Sequence, residues 1–533
     1  MSAAHELIER GFKTEVYDRH KTYSGGKARS VDVHLPDQGE NGPLPGEHGF
    51  RFFPGFYKHI VDTMKRIPVT KPDGRMISVF DNLVPTSRVR ITRFGKPSIV
   101  SIVNFPRSFD DIRTLFESMH ANTGLTSEEK ETFAKKVWQL MTSCYERRAG
   151  DYEKLSWWDY MEADKFSQTY RDLFVQGLTR TLVAANAKYA STKTGGDIFL
   201  QLLFNMTTPG VQTDRVLNGP TNQAWLTPWL SWLKSKGVNY FFHSKAEEII
   251  MNNGNVDGVV IKDEVTGETK TVRGDYYILA VPVERAARLI SREMLTADPS
   301  LQGIIKLAPS VAWMNGIQFY LTRDIEVVRG HCIYSDSQWA LTSISQLQFW
   351  DNYPITEKGN GKVRGILSID VSDWDTPGFN GKPAKDCSHT EIKEEIWAQL
   401  KASLNTNGQI VLTDDMLVDW HIDGDIKQLP HEREKNEEPL LVNTINSWNL
   451  RPEAYTSIPN LFLASDYVRT FTDLATMEGA NEAARRAVNG IINASGAKHQ
   501  LCELWNLHEP RILAIARAAD KERFDKGLPY QLY

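Results

Sequence analysis

The clearest pattern in the chain lies near its C-terminus, where an apolar run leads into a loop and then a helix. Residues 461–464 form an uninterrupted apolar run, which is typical of a strand buried on both faces. After a polar loop, apolar residues recur at helical spacing on one face: Met477, Ala480, Ala484, Ala487, Val488 and Ile491. This order predicts an anion site, because free backbone N–H groups and the helix dipole point outward at a helix N-terminus.

Small residues also mark the surface of this predicted helix, at Gly479, Ala480, Ala483 and Ala484. Small side chains let a flat ligand or another backbone come close to a helix. The same pattern is typical of a helix that only packs well against its neighbours. Pattern alone leaves both interpretations open.

The N-terminus has the pattern of the second part of a dinucleotide-binding βαβ unit. Residues 2–10 predict a helix, Gly11 ends it, and residues 13–18 predict a strand that ends in Asp18. In such a unit, a first strand and a GxGxxG turn precede the helix, and an acid after the second strand binds the ribose hydroxyls. Asp18 stands at the position of that acid, but the first strand and the glycines are absent. We expect a shortened chain start here, with genuine loss of the loop as the alternative.

A glycine pair follows at Gly25 and Gly26, and residues 46–57 are rich in glycine and aromatic residues. Two adjacent glycines permit a close backbone approach. Lys27 or Arg29 beside them would neutralise a pyrophosphate. Taken alone, the segment is at least as typical of a flexible basic surface loop.

The middle of the chain alternates between helical and strand patterns. Residues from about 108 to 185 are mostly helical, and residues 238–243, 247–272 and 276–282 predict strands, of which the second block forms a small antiparallel sheet. The apolar helix at 225–233 predicts packing against a sheet, and contact with a membrane surface is the alternative.

In the long segment at residues 290–454, alternation of apolar and polar residues predicts strands at 313–321 and 339–350. Their aromatic residues are candidates for one wall of an apolar pocket, and equally for an ordinary sheet face. The charge run at 431–438 predicts a solvated loop.

Composition narrows the class of protein further. A chain of 533 residues predicts two or three domains, and a net charge of −5 gives no reason to expect a nucleic-acid partner. The four scattered cysteines predict reduced thiols and no metal site, as in a cytoplasmic protein. No signal peptide or bilayer-spanning run is present, which leaves peripheral membrane contact open. The sequence also has no GxSxG, HExxH or Walker motif, so we name no catalytic residue.

Four segments together resemble one family. The Gly-Gly-Lys turn at 25–27, the segment at 48–57, Leu-Ala-Ser-Asp-Tyr at 463–467 and Ala-Thr-Met-Glu-Gly-Ala at 475–480 resemble the flavin-containing amine oxidase and carotenoid (phytoene) desaturase superfamily. The resemblance runs from residue 1 to about 495. It implies FAD as the cofactor, with Asp18 at the ribose, Asp466 at the ribityl and phosphate part, and residues 477–480 beside the isoalloxazine ring.

The cofactor-binding residues that the resemblance implies come from both ends of the chain and from one position between them. They are Asp18, Gly25, Gly26, Lys27, Arg29, Gly49, Phe50, Arg51, Ala246, Asp466, Met477, Glu478, Gly479 and Ala480. Ala246 is expected near the adenine. The chain departs from the family pattern at Ser465, where a glycine is usual, and in the missing glycine loop, whose N–H groups normally hold the pyrophosphate.

The resemblance implies an α/β architecture, a two-domain FAD-binding Rossmann-like fold, incomplete at the N-terminus, with a mixed α+β substrate domain inserted. Residues 1–65, 216–290 and 455–495 are expected to form the FAD-binding domain. Residues 66–215 and 291–454 are expected to form the substrate domain or cap, and residues 496–533 a C-terminal tail.

The implied function is that of an FAD-dependent oxidoreductase acting on a hydrophobic small molecule. The Lys form of the glycine turn favours a carotenoid or isoprenoid desaturase-like dehydrogenase. Amine oxidation is the alternative within the class, and a redox-neutral dehydroxylase or isomerase is a further one. From a different class, a non-catalytic binding protein that lost FAD with its glycine loop is also open. Because a flavin performs the electron transfer, the protein need not supply a strong nucleophile.

Overall fold

The computed structural model of the protein describes residues 1–71, 73–119, 121–177, 185–350, 353–427 and 435–532. Sixteen α-helices lie in these ranges: α1 Ser2–Glu9, α2 His59–Lys65, α3 Phe109–Met119, α4 Ser127–Thr142, α5 Tyr145–Gly150, α6 Trp157–Tyr160, α7 Gln168–Tyr170, α8 Thr192–Thr207, α9 Thr227–Ser235, α10 Val283–Leu289, α11 Arg292–Ala297, α12 Gln302–Leu307, α13 His389–Leu404, α14 Ser447–Leu450, α15 Met477–Ser495 and α16 Ala514–Asp525. A π-helical turn, Asn222–Leu226, leads into α9, and another, Arg171–Gln176, follows α7.

Twenty-four strands lie in the same described ranges: β1 Glu15–Tyr17, β2 Ser30–Val33, β3 Leu44–Glu47, β4 Pro68–Thr70, β5 Met76–Ser78, β6 Leu83–Pro85, β7 Arg88–Arg93, β8 Lys96–Ile102, β9 Arg215–Leu217, β10 Asn239–Phe241, β11 Ser244–Asn252, β12 Asn255–Asp263, β13 Thr269–Val272, β14 Tyr277–Leu279, β15 Val311–Ala312, β16 Asn315–Leu321, β17 Gly330–Tyr334, β18 Leu341–Ser345, β19 Gly365–Val371, β20 Leu417–Ile422, β21 Ile426–Lys427, β22 Lys435–Asn436, β23 Leu440–Leu441 and β24 Leu461–Leu463.

One part of the molecule is built on short parallel strand pairs. β1 pairs with β10, and β14 pairs with β24, in both cases parallel, as the predicted α/β fold requires. The apolar face of α15 packs against β24 and α1, with Ala483, Ala484 and Ala487 fully buried. Their short side chains let α1 and α15 approach closely. The buried strand predicted at 461–464, the helix after it and the antiparallel sheet β11–β12–β13 are thus confirmed.

The second part contains a seven-stranded sheet in the order β20–β16–β19–β18–β17–β7–β8. Helix α13 packs on one face of this sheet, where Phe319 and Trp339 join its core. The Phe319 ring lies 4.9 Å from that of Trp397 on α13. For Phe319 and Trp339 the structure therefore favours the ordinary sheet face over the pocket wall. Alternation along a strand assigns residues to two faces, but it does not reveal which face a helix covers.

The helices α4, α6 and α8 form a helical region with a buried core of its own. α4 begins with a capping box, in which Thr126 Oγ1 accepts a hydrogen bond from Glu129 N at 3.2 Å and Glu129 Oε2 accepts one from Thr126 N at 2.8 Å. α4, α6 and α8 share one buried cluster. Residues 178–184 of the predicted helical stretch lie outside the described residues. In α9, Trp229 is buried with Trp225, which favours the packing interpretation of this apolar segment over membrane contact.

The C-terminal residues contact both α2 and the helical region. Trp505 N donates to His59 Nε2 at 3.0 Å, on α2. Further along, Asp520 on α16 is fully buried and lies 2.9 Å from Arg147 Nε on α5. Tyr530 Oη lies 2.6 Å from Thr142 Oγ1, on α4. The tail therefore connects the helical region to the elements around α15. None of the helices described in the structure has the length and apolar character needed to cross a membrane.

The prediction of a solvated loop at residues 431–438 is wrong at Glu438. Residues 431–434 lie outside the described part of the chain, but Glu438 is buried, at 4% exposure. Its carboxylate contacts His20 and Arg19, which supply the opposite charges. A run of charged residues in a sequence does not show that one of them pairs with a distant segment. The division into domains at the expected boundaries stays a prediction.

Candidate functional site

A cavity of about 1550 Å³ runs through the interior, and residues from every segment of the family resemblance line it. Most of the expected cofactor residues are among them: Asp18, Gly25, Gly26, Lys27, Gly49, Phe50, Arg51, Ala246, Asp466, Met477 and Ala480. The structure therefore brings together segments from both ends of the chain. Arg29, Glu478 and Gly479 do not line this cavity, and each has another role described below.

Asp18 lies directly after β1, with both carboxylate oxygens engaged. Oδ1 accepts hydrogen bonds from His20 N at 2.9 Å and from the His20 ring, while Oδ2 accepts one from Tyr240 Oη at 2.6 Å. Burial alone would raise the pKa of Asp18, but the bonds from His20 and Tyr240 outweigh it and lower the pKa to about 2. The carboxylate is thus held charged and fixed, with acceptor capacity left for a hydroxyl from the cavity.

Glu438 completes this corner of the cavity, and sequence reasoning did not find it. His20 Nε2 lies 3.3 Å from Glu438 Oε1, and Arg19 pairs with the same oxygen. Burial would raise the pKa of Glu438, but His20, Arg19 and Lys27 lower it to about 2. Because His20 bridges two carboxylates, its pKa is raised despite its burial. Nothing in the local sequence of residue 438 signals this contact.

Contacts with other segments fix the conformation of the glycine turn at residues 25–27. Gly25 has φ of +100°, and a Cβ there would lie 2.5 Å from Leu226 Cδ1, so only glycine fits. Arg51 Nη2 donates to the Lys27 carbonyl at 2.7 Å, and Arg51 Nε to the Ala28 carbonyl at 3.2 Å. Lys27 extends to the carbonyl of Pro439. Arg51 therefore braces the turn, while its neighbour Lys27 supplies a positive charge to the cavity wall.

Arg29 belongs to a polar cluster beside the turn. Its Nη2 lies 2.7 Å from Asp425 Oδ2, and His48 Nδ1 lies 2.7 Å from Asp423 Oδ2 and 3.3 Å from Asp425 Oδ2. His48, Asp423 and Asp425 thus bring metal-ligand atom types within 4.8 Å of one another. Burial alone would lower the pKa of His48. However, Asp423 and Asp425 outweigh this effect and raise the pKa to about 9. A protonated imidazole with two carboxylates and a guanidinium forms an ion-pair network that fastens residues 423–425 to the turn.

Asp466 follows β24 and faces the cavity from the other side. Its backbone carbonyl accepts a hydrogen bond from Arg451 Nη1 at 2.6 Å, which fixes the loop. The preceding Ser465 has φ of +108°, a conformation that glycine adopts without strain. This backbone conformation explains why glycine is usual at this position in the family. Met477 and Ala480, on the first turn of α15, form the adjoining wall.

Glu478 and Gly479 point away from the cavity and stabilise the start of α15 and α2. Glu478 Oε1 accepts hydrogen bonds from Lys58 N and His59 N at 2.8 and 2.9 Å, and Oε2 accepts one from Ile60 N at 2.9 Å. These are the free N–H groups at the start of α2. Gly479 N donates to Thr476 Oγ1 at 3.1 Å, and a Cβ on Gly479 would lie 2.7 Å from the Leu474 carbonyl oxygen.

Part of the cavity wall is strongly apolar. One face of α8 presents Phe199, Leu202, Leu203 and Met206, at the spacing of a single helical face. Further wall residues come from the sheet, where Val89 and Ile91 on β7 alternate with residues that point away. Ile333 on β17 pairs with Ile91 and shares its face. We refer to this apolar section between α8 and the sheet as the apolar arm.

Polar groups on the same sheet face border the apolar arm. Asp370 on β19 lies in register with Thr342, which lies in register with Ile333, so all three share that face. Burial raises the pKa of Asp370 to about 7, although Arg51, His48 and His331 each favour its charged form. A Cβ on Gly49 would lie 2.4 Å from Asp370 Oδ1, so the backbone of residue 49 must pass directly over this carboxyl group.

His331 on β17 also lines the cavity and is paired with Asp214. Its Nε2 lies 2.6 Å from Asp214 Oδ2, which also accepts a hydrogen bond from Thr86 Oγ1 at 2.9 Å. The His331 ring centroid lies 5.1 Å from the Phe50 ring and 5.5 Å from the Phe52 ring. Burial would lower the pKa of His331, but Asp214 outweighs it and raises the pKa. Sequence reasoning missed Asp214, His331 and Asp370, since no motif links positions so far apart.

The comparison with protein families gives the class of this protein. The model of the flavin-containing amine oxidoreductase family matches residues 1–492, and the chain belongs to that family. Membership makes the protein a flavin-dependent type of oxidoreductase and agrees with the observed α/β fold. No curated protein matches the chain by sequence.

Solved structures with the same fold are distant in sequence. An oxidoreductase from Methanosarcina mazei is 12% identical, with a TM-score of 0.58 over 92% of this chain and 97% of that chain. A putrescine oxidase bound to putrescine is 11% identical, with a TM-score of 0.58 over 92% of this chain and 96% of that chain. A putative protoporphyrinogen oxidase from Exiguobacterium sp. is 13% identical, with a TM-score of 0.52 over 92% and 95% of the two chains. At these identities the likeness establishes the fold alone.

Proposed function

We propose that the cavity binds FAD and that the protein dehydrogenates an apolar substrate of the isoprenoid or polyene type. The donor and acceptor set fits the dinucleotide. Asp18 offers a fixed carboxylate to ribose hydroxyls, and Lys27 offers a positive charge to phosphates. Small residues on the wall, such as Ala480, leave room for a flat ring.

The apolar arm is the observation that carries the substrate proposal. One face of α8 is apolar along its length, and the strand residues Val89, Ile91 and Ile333 that line the same cavity are also apolar. A hydrocarbon chain buried there gains about 25 cal/mol for each Å² removed from water. A small polar substrate would leave this surface uncovered. The arm therefore favours a long apolar molecule.

Bound FAD would supply the two-electron oxidation, and the protein supplies binding and a dry environment. The apolar arm orients the substrate by shape, since it has few polar groups that could select a functional group. Arg51 and the glycine turn hold the cavity wall in place. Desaturation of a carbon–carbon bond needs no nucleophile from the protein, in line with the absence of such a motif from the sequence.

Amine oxidation is the second candidate, because the family includes amine oxidoreductases and because two carboxyl groups, Asp214 and Asp370, line the cavity. Both carboxyl groups already have polar partners, however. Asp214 lies 2.6 Å from His331 Nε2, and Asp370 is surrounded by Arg51, His48 and His331. An ammonium group would have to compete with these partners at either site. The occupied carboxyl groups favour the apolar substrate.

The experiment has two stages. First, the visible spectrum of the purified protein tests flavin binding, with Asp18→Ala as the variant expected to lose flavin and Asp37→Ala as an exposed control. A colourless wild-type protein that takes up no added FAD would favour the non-catalytic binding protein instead. Second, anaerobic bleaching of the flavin is measured with phytoene, squalene and putrescine. Bleaching by a polyene and not by putrescine is expected, and the reverse would favour amine oxidation.

A further inference from the structure

We propose that His331, oriented by Asp214, is the catalytic residue that accepts the proton leaving the substrate carbon during dehydrogenation. The inference deepens the proposed function and rests on it. Formation of a carbon–carbon double bond breaks two C–H bonds. One hydrogen would leave with its electron pair as hydride, for which a bound flavin would be the oxidant. The other leaves as a proton, while its electron pair becomes the new π bond. That proton needs an acceptor inside a cavity whose neighbouring walls are apolar.

The first support is the orientation of the imidazole. Asp214 Oδ2 lies 2.6 Å from His331 Nε2, within ion-pair distance. A carboxylate at this position favours the tautomer with hydrogen on Nε2, which leaves Nδ1 as the basic nitrogen. Thr86 Oγ1 donates to the same carboxylate oxygen at 2.9 Å and fixes its position. In the described part of the chain, no hydrogen bond is formed by Nδ1. A carboxylate behind one ring nitrogen and a free nitrogen on the other side is the arrangement of an oriented general base.

The second support is the location of the ring. His331 lies two residues before Ile333 on β17, so both side chains emerge on the cavity face of the sheet. Val89 on β7 is its direct strand neighbour and also lines the cavity. Phe50 and Phe52 contact the imidazole through their rings and restrict its rotation. The base therefore stands among the same apolar residues that would contact the substrate.

The surrounding charges allow the ring to take a proton. Asp214 faces it from the segment before β9, and Asp370 faces it from β19. Arg51 and His48 from the segment after β3 act on Asp370 in turn. Burial alone would lower the pKa of His331, but the two carboxyl groups outweigh it and raise the pKa. Imidazolium formed in the reaction is thus stabilised where it forms, although the Phe50 and Phe52 rings beside it are apolar.

The test compares holoenzymes of His331→Gln and Asp214→Asn with wild type, with His34→Gln as a control at an exposed histidine. We expect His331→Gln to keep its flavin and its substrate Kd within threefold, and to lose about 100-fold in the anaerobic rate of flavin bleaching by phytoene. Asp214→Asn should lose about 10-fold or more, and its rate should rise with pH through a lower pKa than in wild type. A His331→Gln variant with normal flavin and a rate within twofold of wild type would overturn the proposal.

A second readout does not depend on turnover. Histidine-labelled protein is titrated by NMR, and His331→Gln assigns the resonance. In wild type we expect the pKa of His331 to lie above that of a free histidine. In Asp214→Asn we expect this pKa to fall. The His331 resonance of the wild type should also shift when phytoene is added. If no polyene bleaches the wild-type flavin, the proposed function fails. In that case a His331 resonance unmoved by Asp214→Asn and by phytoene also refutes the role of His331.

Discussion

Glu478 and His59 form a buried pair that joins the start of α15 to the start of α2. His59 Nδ1 lies 2.7 Å from Glu478 Oε1, and Trp505 N donates to the other ring nitrogen, Nε2. Since Nε2 accepts, Nδ1 carries the ring hydrogen and donates it to Glu478. The same carboxylate accepts hydrogen bonds from three backbone N–H groups at the start of α2. A residue that resemblance places at the flavin is, in the structure, the cap of a neighbouring helix.

Glu478→Ala is therefore expected to destabilise the fold first and to affect flavin binding only through it. It would leave three backbone N–H groups and the His59 ring without their acceptor in a buried site. We expect a loss of at least ~3 kcal/mol in the free energy of unfolding. Urea denaturation of the flavin-free protein measures this, with exposed Glu503→Ala as the control expected to stay within ~0.5 kcal/mol. An unchanged unfolding midpoint would contradict the capping role.

Gly49→Ala tests the close contact between the residue 49 backbone and Asp370. An added Cβ would lie 2.4 Å from Asp370 Oδ1, and φ of +151° at this position is strained for any side chain. We expect at least ~2 kcal/mol of destabilisation and a reduced flavin content. Gly195→Ala in α8 is the matched control, since its Cβ would meet the Trp157 ring at an ordinary 3.9 Å. That change should stabilise the helix by up to ~1 kcal/mol.

Ser465→Gly is expected to stabilise the protein. Ser465 adopts φ of +108°, which costs a non-glycine residue about 1 kcal/mol or more. The side-chain contact it would lose, from Ser465 Oγ to Asp466 Oδ1, is long at 3.3 Å. Thermal unfolding should show a higher midpoint with flavin content retained. Ser495→Gly, within the last turn of α15, should show the opposite sign because glycine weakens a helix.

Asp370 predicts a particular dependence of stability on pH. Its pKa in the folded protein is about 7, against an ordinary value of 3.8. Between these values the folded protein holds a proton that the unfolded chain has released, so stability falls as pH rises, by at most ~1.4 kcal/mol per unit. Asp370→Asn should remove this fall. Urea unfolding of both proteins at pH 5 and pH 7 measures the difference, and equal slopes would contradict the assignment.

Local patterns, together with the family resemblance, predict the cavity residues that lie next to strands. Asp18 and Asp466 each follow a short strand, and the chain direction there determines where the acid lies. The glycine turn was predicted for the same reason, because backbone geometry limits which residue fits. These features depend on neighbours in sequence, so a sequence contains their signal.

The remaining features depend on contacts between distant segments. Glu478 caps a helix more than four hundred residues away in sequence, and Glu438 pairs with His20 at a similar separation. Asp214 and His331 come together only because β17 lies beside β7 and Thr86 precedes it. Which strands are neighbours is decided by the packing of the whole sheet, and a single sequence gives no local trace of it.

The C-terminal tail has a mechanical consequence for access to the cavity. It is anchored at His59 through Trp505 and at Arg147 through the buried Asp520, so it acts as a clasp across the two regions. A wide hinge motion between them would separate Asp520 from Arg147 and leave the buried Asp520 carboxylate without its ion-pair partner. This cost opposes wide opening and favours substrate entry by local displacement of side chains.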